Sequence, residues 1–244
     1  MKETSSISLL KALTEAGAGP RRRMADAIMR GSVRVNGAVV SDLRHAVDID
    51  NDRITVDGQK VDIKSRQLIY LMLNKPAGVL STVRDERGRK TVIDILPVKY
   101  RRLGLHPVGR LDKDSTGLLL MTNDGEFTYR LTHPKFEKEK EYLLQIGAIL
   151  KPHEVRALEK GIELEDGMTR GAVVRSIKST PPFNYSITLH EGRKRQVRRM
   201  FASLGYRVIA LKRVREGSVA LGELGEGCVR ELSVEEVGRL LDQS

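Results

Sequence analysis

The chain has no tryptophan, a single cysteine and only 4% aromatic residues among its 244. One thiol, Cys228, cannot form an internal disulfide or a cysteine-rich zinc site. So few rings give little support for a stacking platform along single-stranded nucleic acid. No run approaches the roughly 18–20 apolar residues of a membrane helix, and the opening MKETSSISLL lacks the apolar stretch and cleavage site of a secretory signal. A cytoplasmic protein with no membrane partner is the expectation. Nucleotide loops of the G-x-x-x-x-G-K-[ST] kind are missing, as is G-x-G-x-x-G after a strand. The histidines (His45, His106, His133, His153, His190) show no H-E-x-x-H spacing, and G-x-S-x-G is absent. No metal and no cofactor are expected, which leaves carboxylate chemistry.

What the chain has in excess is positive charge. Lys and Arg number 43 against 32 Asp and Glu, a formal net charge of +11. Such a balance points to a polyanionic partner, nucleic acid first. The charge is also clustered: RRR at 21–23, RKRQVRR at 193–199 and LKRVR at 211–215. Folded RNA gripped through its backbone suits this pattern better than stacked single strands. A DNA reader has little support, since no recognition-helix arrangement or dimerising heptad stands out.

The first sixty residues read as one small unit. SISLLKALTEAG carries Ile7, Leu10 and Leu13 at helical spacing and stops at Gly17, and RRRMADAIMRG places Met24, Ile28 and Met29 on one face before Gly31. SVRVNGAVV then alternates around Asn36-Gly37, a hairpin signal, and DRITVDGQKV does so around Asp57-Gly58. DIKSRQ, within 62–67, reads as a linker. Beyond it, LIYLMLNK, EYLLQIGA, AVVRSI and YSITLHEG look like strands, and KPHEVRALEKGI, RKRQVRRMFASLG and SVEEVGRLL like helices, the last capped by Ser233. The mixture lacks regular strand–helix alternation. It favours an α+β fold: a small helix–helix–strand module at 1–61, then a mixed, largely antiparallel sheet flanked by helices at 68–244.

Within GRLDKDSTGLLL (109–120), two aspartates precede a run of leucines. A turn feeding a buried element would explain them. So would a carboxylate held at the end of a rigid element, charged yet poorly hydrated, as a nucleophile or base requires. Asp112 is the candidate for that role, with Asp114 as the turn residue. His106, four residues before Arg110, reads as structural.

LLKALTEAG, ADAIMRGSVRVNG and ITVDG together resemble the S-four-type RNA-binding module, although GPRRR stands where that module opens its second helix with Ser-Arg. PVGRLDKDSTGLLLMTNDGE resembles the active-site motif of pseudouridine synthases, in the branch that modifies ribosomal RNA, with Ser115 in place of the family's threonine. LNKPAGVLST, HPKFEKEKEYLLQI and EGRKRQVRRMFASLGYRVIALKRVREG follow the same family in order, so the likeness covers nearly the whole chain. It implies cofactor-free isomerisation of uridine within ribosomal RNA, or an assembly intermediate, by a monomer. The large subunit is the closer match. A small-subunit enzyme, or a non-catalytic RNA-binding assembly factor, is the alternative.

By the same resemblance Asp112 is the essential carboxylate, attacking the sugar or the base or removing a sugar proton. Tyr142 packs on the base and is a candidate to accept its carbon-bound proton. Arg198 pairs with and orients Asp112. Arg110 helps displace the target base, because the glycosidic bond is reachable only in a flipped nucleotide. Lys75 either shapes the pocket or meets RNA. Contacts to RNA are further expected from Arg21, Arg22, Arg23, Arg34, Arg193, Lys194, Arg195, Arg199 and Arg213.

Overall fold

Two Asx-Gly pairs show how directly the sequence sets the N-terminal strands. Asn36 and Gly37 take φ of 51° and 87°, and Asp57 and Gly58 take 49° and 78°. Two consecutive left-handed residues close a tight hairpin whose twist matches that of its strands. The computed structural model describes residues 6–63 and 67–242 and divides into two compact units, Met1–Leu68 and Ile69–Ser244.

The first unit runs β1 (Ser6–Ser8), α1 (Leu9–Glu15), α2 (Arg21–Met29), β2 (Val33–Val35), β3 (Ala38–Val39), β4 (Ala46–Asp48), β5 (Ile54–Val56) and β6 (Gln59–Val61). β1 pairs with β4, and a second sheet has the order β3-β2-β5-β6. Leu9, Leu13, Met24, Ile28, Val33, Val47 and Ile54 fill its core. Two details differ from the periodicity. Ile7 lies in β1 rather than on the helix, and Met29 is 59% exposed while Ala27 turns inward, because the buried stripe follows positions 24, 27 and 28. Ile63, within the stretch read as linker, is buried with this core; residues 64–66 of that stretch lie outside the described residues.

The second unit holds β7 (Tyr70–Lys75), α3 (Val98–Arg101), β8 (His106–Pro107), β9 (Thr116–Thr122), α4 (Gly125–Thr132), β10 (Lys140–Ile146) and α5 (Pro152–Lys160). There follow β11 (Glu163–Leu164), β12 (Gly167–Met168), β13 (Val173–Ser176), β14 (Tyr185–Leu189), α6 (Gln196–Ser203), β15 (Val208–Glu216), β16 (Val219–Ala220), β17 (Val229–Glu231) and α7 (Val234–Asp242). The sheet order is β13-β14-β10-β15-β9-β7-β17, antiparallel except where β9 and β15 run parallel. Ser233 caps α7 as the sequence suggested: its Oγ accepts from Glu236 N at 3.1 Å while its own N donates to the Glu236 carboxylate at 2.9 Å.

The leucine run is a strand buried on both faces, which is why it lacks alternation. Leu118 and Leu120 pack with Phe127, Leu131 and Leu240; Leu119 and Met121 pack with Val92, Leu96 and Tyr100. At its start Gly117, with φ +100°, lies so close to β15 that an added Cβ would sit 2.1 Å from the Arg213 carbonyl oxygen and 2.8 Å from its nitrogen. Gly117→Ala is therefore expected to destabilise the chain by about 3 kcal/mol, read as a lower urea midpoint.

Candidate functional site

The loop carrying Asp112 joins β8 to β9 and is fastened from several sides. Leu111 is buried, and its carbonyl and N–H both bond the Ser81 hydroxyl, at 2.9 and 3.2 Å. Ser115 N donates to the Asp112 carbonyl at 3.1 Å, closing a turn. Lys75, at the end of β7, is fully buried, and its Nζ donates to the carbonyls of Pro76 (2.8 Å), Lys113 (3.3 Å) and Ser115 (2.8 Å). Burial pulls the Lys75 pKa down to about 8, against the opposing pull of Asp114, Asp112 and Glu226. Its ammonium is thus turned to its own turn and the Asp112 loop, an arrangement closer to the first of its two expected roles than to a contact with RNA.

Asp112 stands out from this platform with its side chain 31% exposed. It lines a pocket with Tyr142, Arg110, Arg195, Gln196 and Leu211. The pocket floor comes from β10 and β15, where Tyr142 is in register with Arg213. Burial raises the Tyr142 pKa, Arg213 acts to lower it, and Glu216 and Asp112 add to the rise. Tyr142 accordingly rests as a neutral phenol.

The arginines are arranged differently from expectation. The ion pairs place Arg195, not Arg198, against Asp112: Arg195 Nη1 is 3.7 Å from Asp112 and 3.7 Å from Asp114. Arg198 pairs with Asp114 at 3.1 Å and donates to the Val208 carbonyl at 2.8 Å. The cause is the start of α6. Arg195 takes a left-handed φ of 52° there, and the buried Gln196 bonds Glu191 and Arg193 N, which fixes the preceding loop. Asp114 is thus more than a turn residue, since it carries two cations.

Several residues read as RNA contacts are engaged by other parts of the protein. Arg213 is 2% exposed; its Nε donates to the Leu118 carbonyl at 2.7 Å and it pairs with Glu216 at 3.2 Å. Arg193 donates to the Gly167 and Met168 carbonyls, at 2.8 and 2.5 Å, and to Glu191. Arg199 is paired with Asp166. Basic residues in a run reach opposite sides of their element, and these three find internal acceptors. Arg110, Lys194 and Arg195 are exposed, as are Arg21, Arg22 and Arg23 at the start of α2, and Arg34, which donates to the Gly37 carbonyl at 3.0 Å. His106 bonds the Thr128 hydroxyl at 2.9 Å, in keeping with a structural role.

Glu216 was not anticipated. It is fully buried, and an R-x-x-E spacing on a strand carries no recognisable signal. Removing one partner of a buried pair leaves the other charge stranded. Arg213→Met is expected to cost about 3–5 kcal/mol, and adding Glu216→Gln to recover part of that loss, both read by urea unfolding.

A family model described as RNA pseudouridylate synthase matches residues 69–203. The ribosomal large subunit pseudouridine synthase B of Bacillus subtilis (strain 168) is 43% identical over 235 residues, covering 95% of this chain and 94% of that protein. The protein of the same name from Vibrio cholerae serotype O1 is 39% identical over 244 residues, covering 96% and 74%. The crystal structure of a pseudouridylate synthase superposes with a TM-score of 0.69 at 32% identity, covering 96% of this chain and 99% of its own. The chain belongs to the RNA pseudouridylate synthase family.

Proposed function

We propose that this chain isomerises a uridine of large-subunit ribosomal RNA to pseudouridine, as a cytoplasmic monomer, with Asp112 as the essential carboxylate. The observation that carries this is the shared pocket: Asp112 on its fastened loop faces the same space as Tyr142. The relatives named for large-subunit ribosomal RNA support the substrate. In the reaction the bond from uracil nitrogen to the sugar carbon breaks, the base turns, a carbon–carbon bond forms, the base carbon gives up its proton, and the freed nitrogen takes one up. Nothing is added overall.

Each side chain then has a place. Arg110, exposed at the pocket rim, helps hold the nucleotide out of its stack. Tyr142 presents a ring for the base to pack on. Its raised pKa favours that packing role over proton acceptance, since a phenol that holds its proton tightly is a base only once ionised. Arg195 is the cation that orients Asp112. The N-terminal unit serves as the RNA-binding module, with Arg21, Arg22 and Arg23 toward phosphates.

Pseudouridine mapping of both ribosomal RNAs, in cells lacking the gene and complemented with wild type or Asp112→Asn, tests the reading. One large-subunit site should vanish and return with wild type alone. A lost small-subunit site would reassign the subunit, and no lost site would favour an assembly factor. In binding assays, replacing Arg21, Arg22 and Arg23 by Gln should weaken RNA affinity and flatten its log–log salt dependence by roughly one per lost phosphate contact.

A further inference from the structure

A groove begins at the edge of the Asp112 pocket. Two cavities of about 510 Å³ each share Gly205, Tyr206, Arg207 and Ile209, and the nearer one reaches Asp114 and Arg195. Arg195 also lines the Asp112 pocket. Each cavity falls within the roughly 300–1,000 Å³ typical of small-molecule sites.

Positive charge predominates along this groove. Arg195, Arg198 and Arg207 line it against one carboxylate, Asp114. That carboxylate is matched by Arg198 at 3.1 Å and by Arg195 at 3.7 Å, and Arg198 is held further by the Val208 carbonyl. Arg207 is exposed and makes no ion pair or side-chain hydrogen bond among the described residues. Arg195 keeps donors free as well, because its contacts with Asp112 and Asp114 are both longer than a hydrogen bond.

The second observation is a β-bulge. β10 pairs Gln145 with Ala210 and Ile146 with Val208, which leaves Ile209 as an extra residue on β15. A bulge of this kind re-aims a side chain out of the ladder. Val208 before it is buried, whereas Ile209 is 57% exposed and lines both cavities. Around it Gly147, Ala148, Ala202 and Gly205 present little beyond backbone, and Tyr206 completes the floor with its hydroxyl bonded to Glu154 at 2.8 Å. A single exposed isoleucine is ordinary. One lifted from the sheet by a bulge, beside a free arginine and next to the Asp112 pocket, offers an apolar face and a cation to the same ligand.

We propose that this groove carries the RNA strand flanking the target uridine, with a phosphate against Arg207 and the face of a base against Ile209. The inference rests on the RNA-isomerase reading and deepens it. A nucleotide turned into the Asp112 pocket stays joined to its strand, and its neighbour loses a stacking partner. Isoleucine is among the apolar side chains that proteins press against bases, and it does so without demanding a particular base. Charge favours RNA over an apolar protein segment, because the unmatched side chains in the groove are cations.

The test uses the full chain and in-vitro-transcribed large- and small-subunit ribosomal RNA. Binding is measured across a salt series, and turnover by tritium released from the uracil ring. Arg207→Gln should raise Kd about fivefold and reduce the salt slope by roughly one. Ile209→Ala should raise Kd about threefold with the slope unchanged. Gly147 lies outside the left-handed region, and an added Cβ would meet only Ile209 Cδ1, at 4.0 Å. Gly147→Leu therefore fills the groove without backbone strain and should raise Kd about tenfold. All three should affect KM more than kcat, because none of these residues lines the Asp112 pocket. Lys178→Gln, at an exposed position outside both cavities, should keep the wild-type Kd and slope. A wild-type Kd for both Arg207→Gln and Ile209→Ala would overturn the proposal and leave the groove to a protein partner. An equal loss of slope in Lys178→Gln would overturn it too, since net charge alone would then explain the effect. A wild type that binds RNA but releases no tritium would overturn the isomerase reading alone, because the Kd comparison still decides the groove.

Discussion

A single buried ammonium holds the site together. Lys75 lies where β7 ends, opposite Gly117 in the sheet register, and reaches carbonyls on both its own turn and the Asp112 loop. Enclosing such a charge costs several kcal/mol unless its donors are satisfied. The three carbonyls satisfy them, and the strength of those bonds depends on the same enclosure. Gly78 N, donating to the Lys113 carbonyl at 2.8 Å, ties the two turns a second time. Asp112 is therefore mounted on backbone fixed from below, the preorganisation that its proposed role as the essential carboxylate requires.

Positive charge serves two purposes here, and composition alone does not separate them. Arg213 and Lys75 are internal fasteners, and Arg193 and Arg199 hold the β11–β12 hairpin through Asp166 and two carbonyls. Arg215 is bound by Glu139 and Glu141 at 2.9 and 3.1 Å. Of the eleven cations in the three clusters that suggested a polyanionic partner, five are exposed: Arg21 to Arg23 in one unit and Lys194 and Arg195 in the other.

Elements whose signals are local were legible from the sequence. Asn36-Gly37, Asp57-Gly58 and Ser233 with Glu236 specify their turns and cap with neighbouring residues alone, and the apolar runs of β7, β10 and β14 specify strands. α4 was not foreseen, although Asp124 caps it by accepting from Glu126 N and Phe127 N. Asp112 and Tyr142 were brought together by motif resemblance. The partners of the arginines were not recoverable in this way. Arg198 meets Asp114, and Arg199 meets Asp166, across long stretches of chain; such meetings follow from strand register and the left-handed turn at Arg195, neither of which composition reveals.

The two-sided burial of β9 has one further consequence. In a half-exposed strand, a slip of one residue would turn apolar side chains to water, and that penalty fixes the alignment. From Leu118 to Met121 every residue is buried and apolar, so a slipped strand would exchange one greasy face for another at little penalty. What forbids the slip is Gly117, the position that tolerates the close passage of Arg213 backbone. The alignment of the strand, and through it the placement of a carboxylate five residues upstream, is thus read from the absence of a single methyl group.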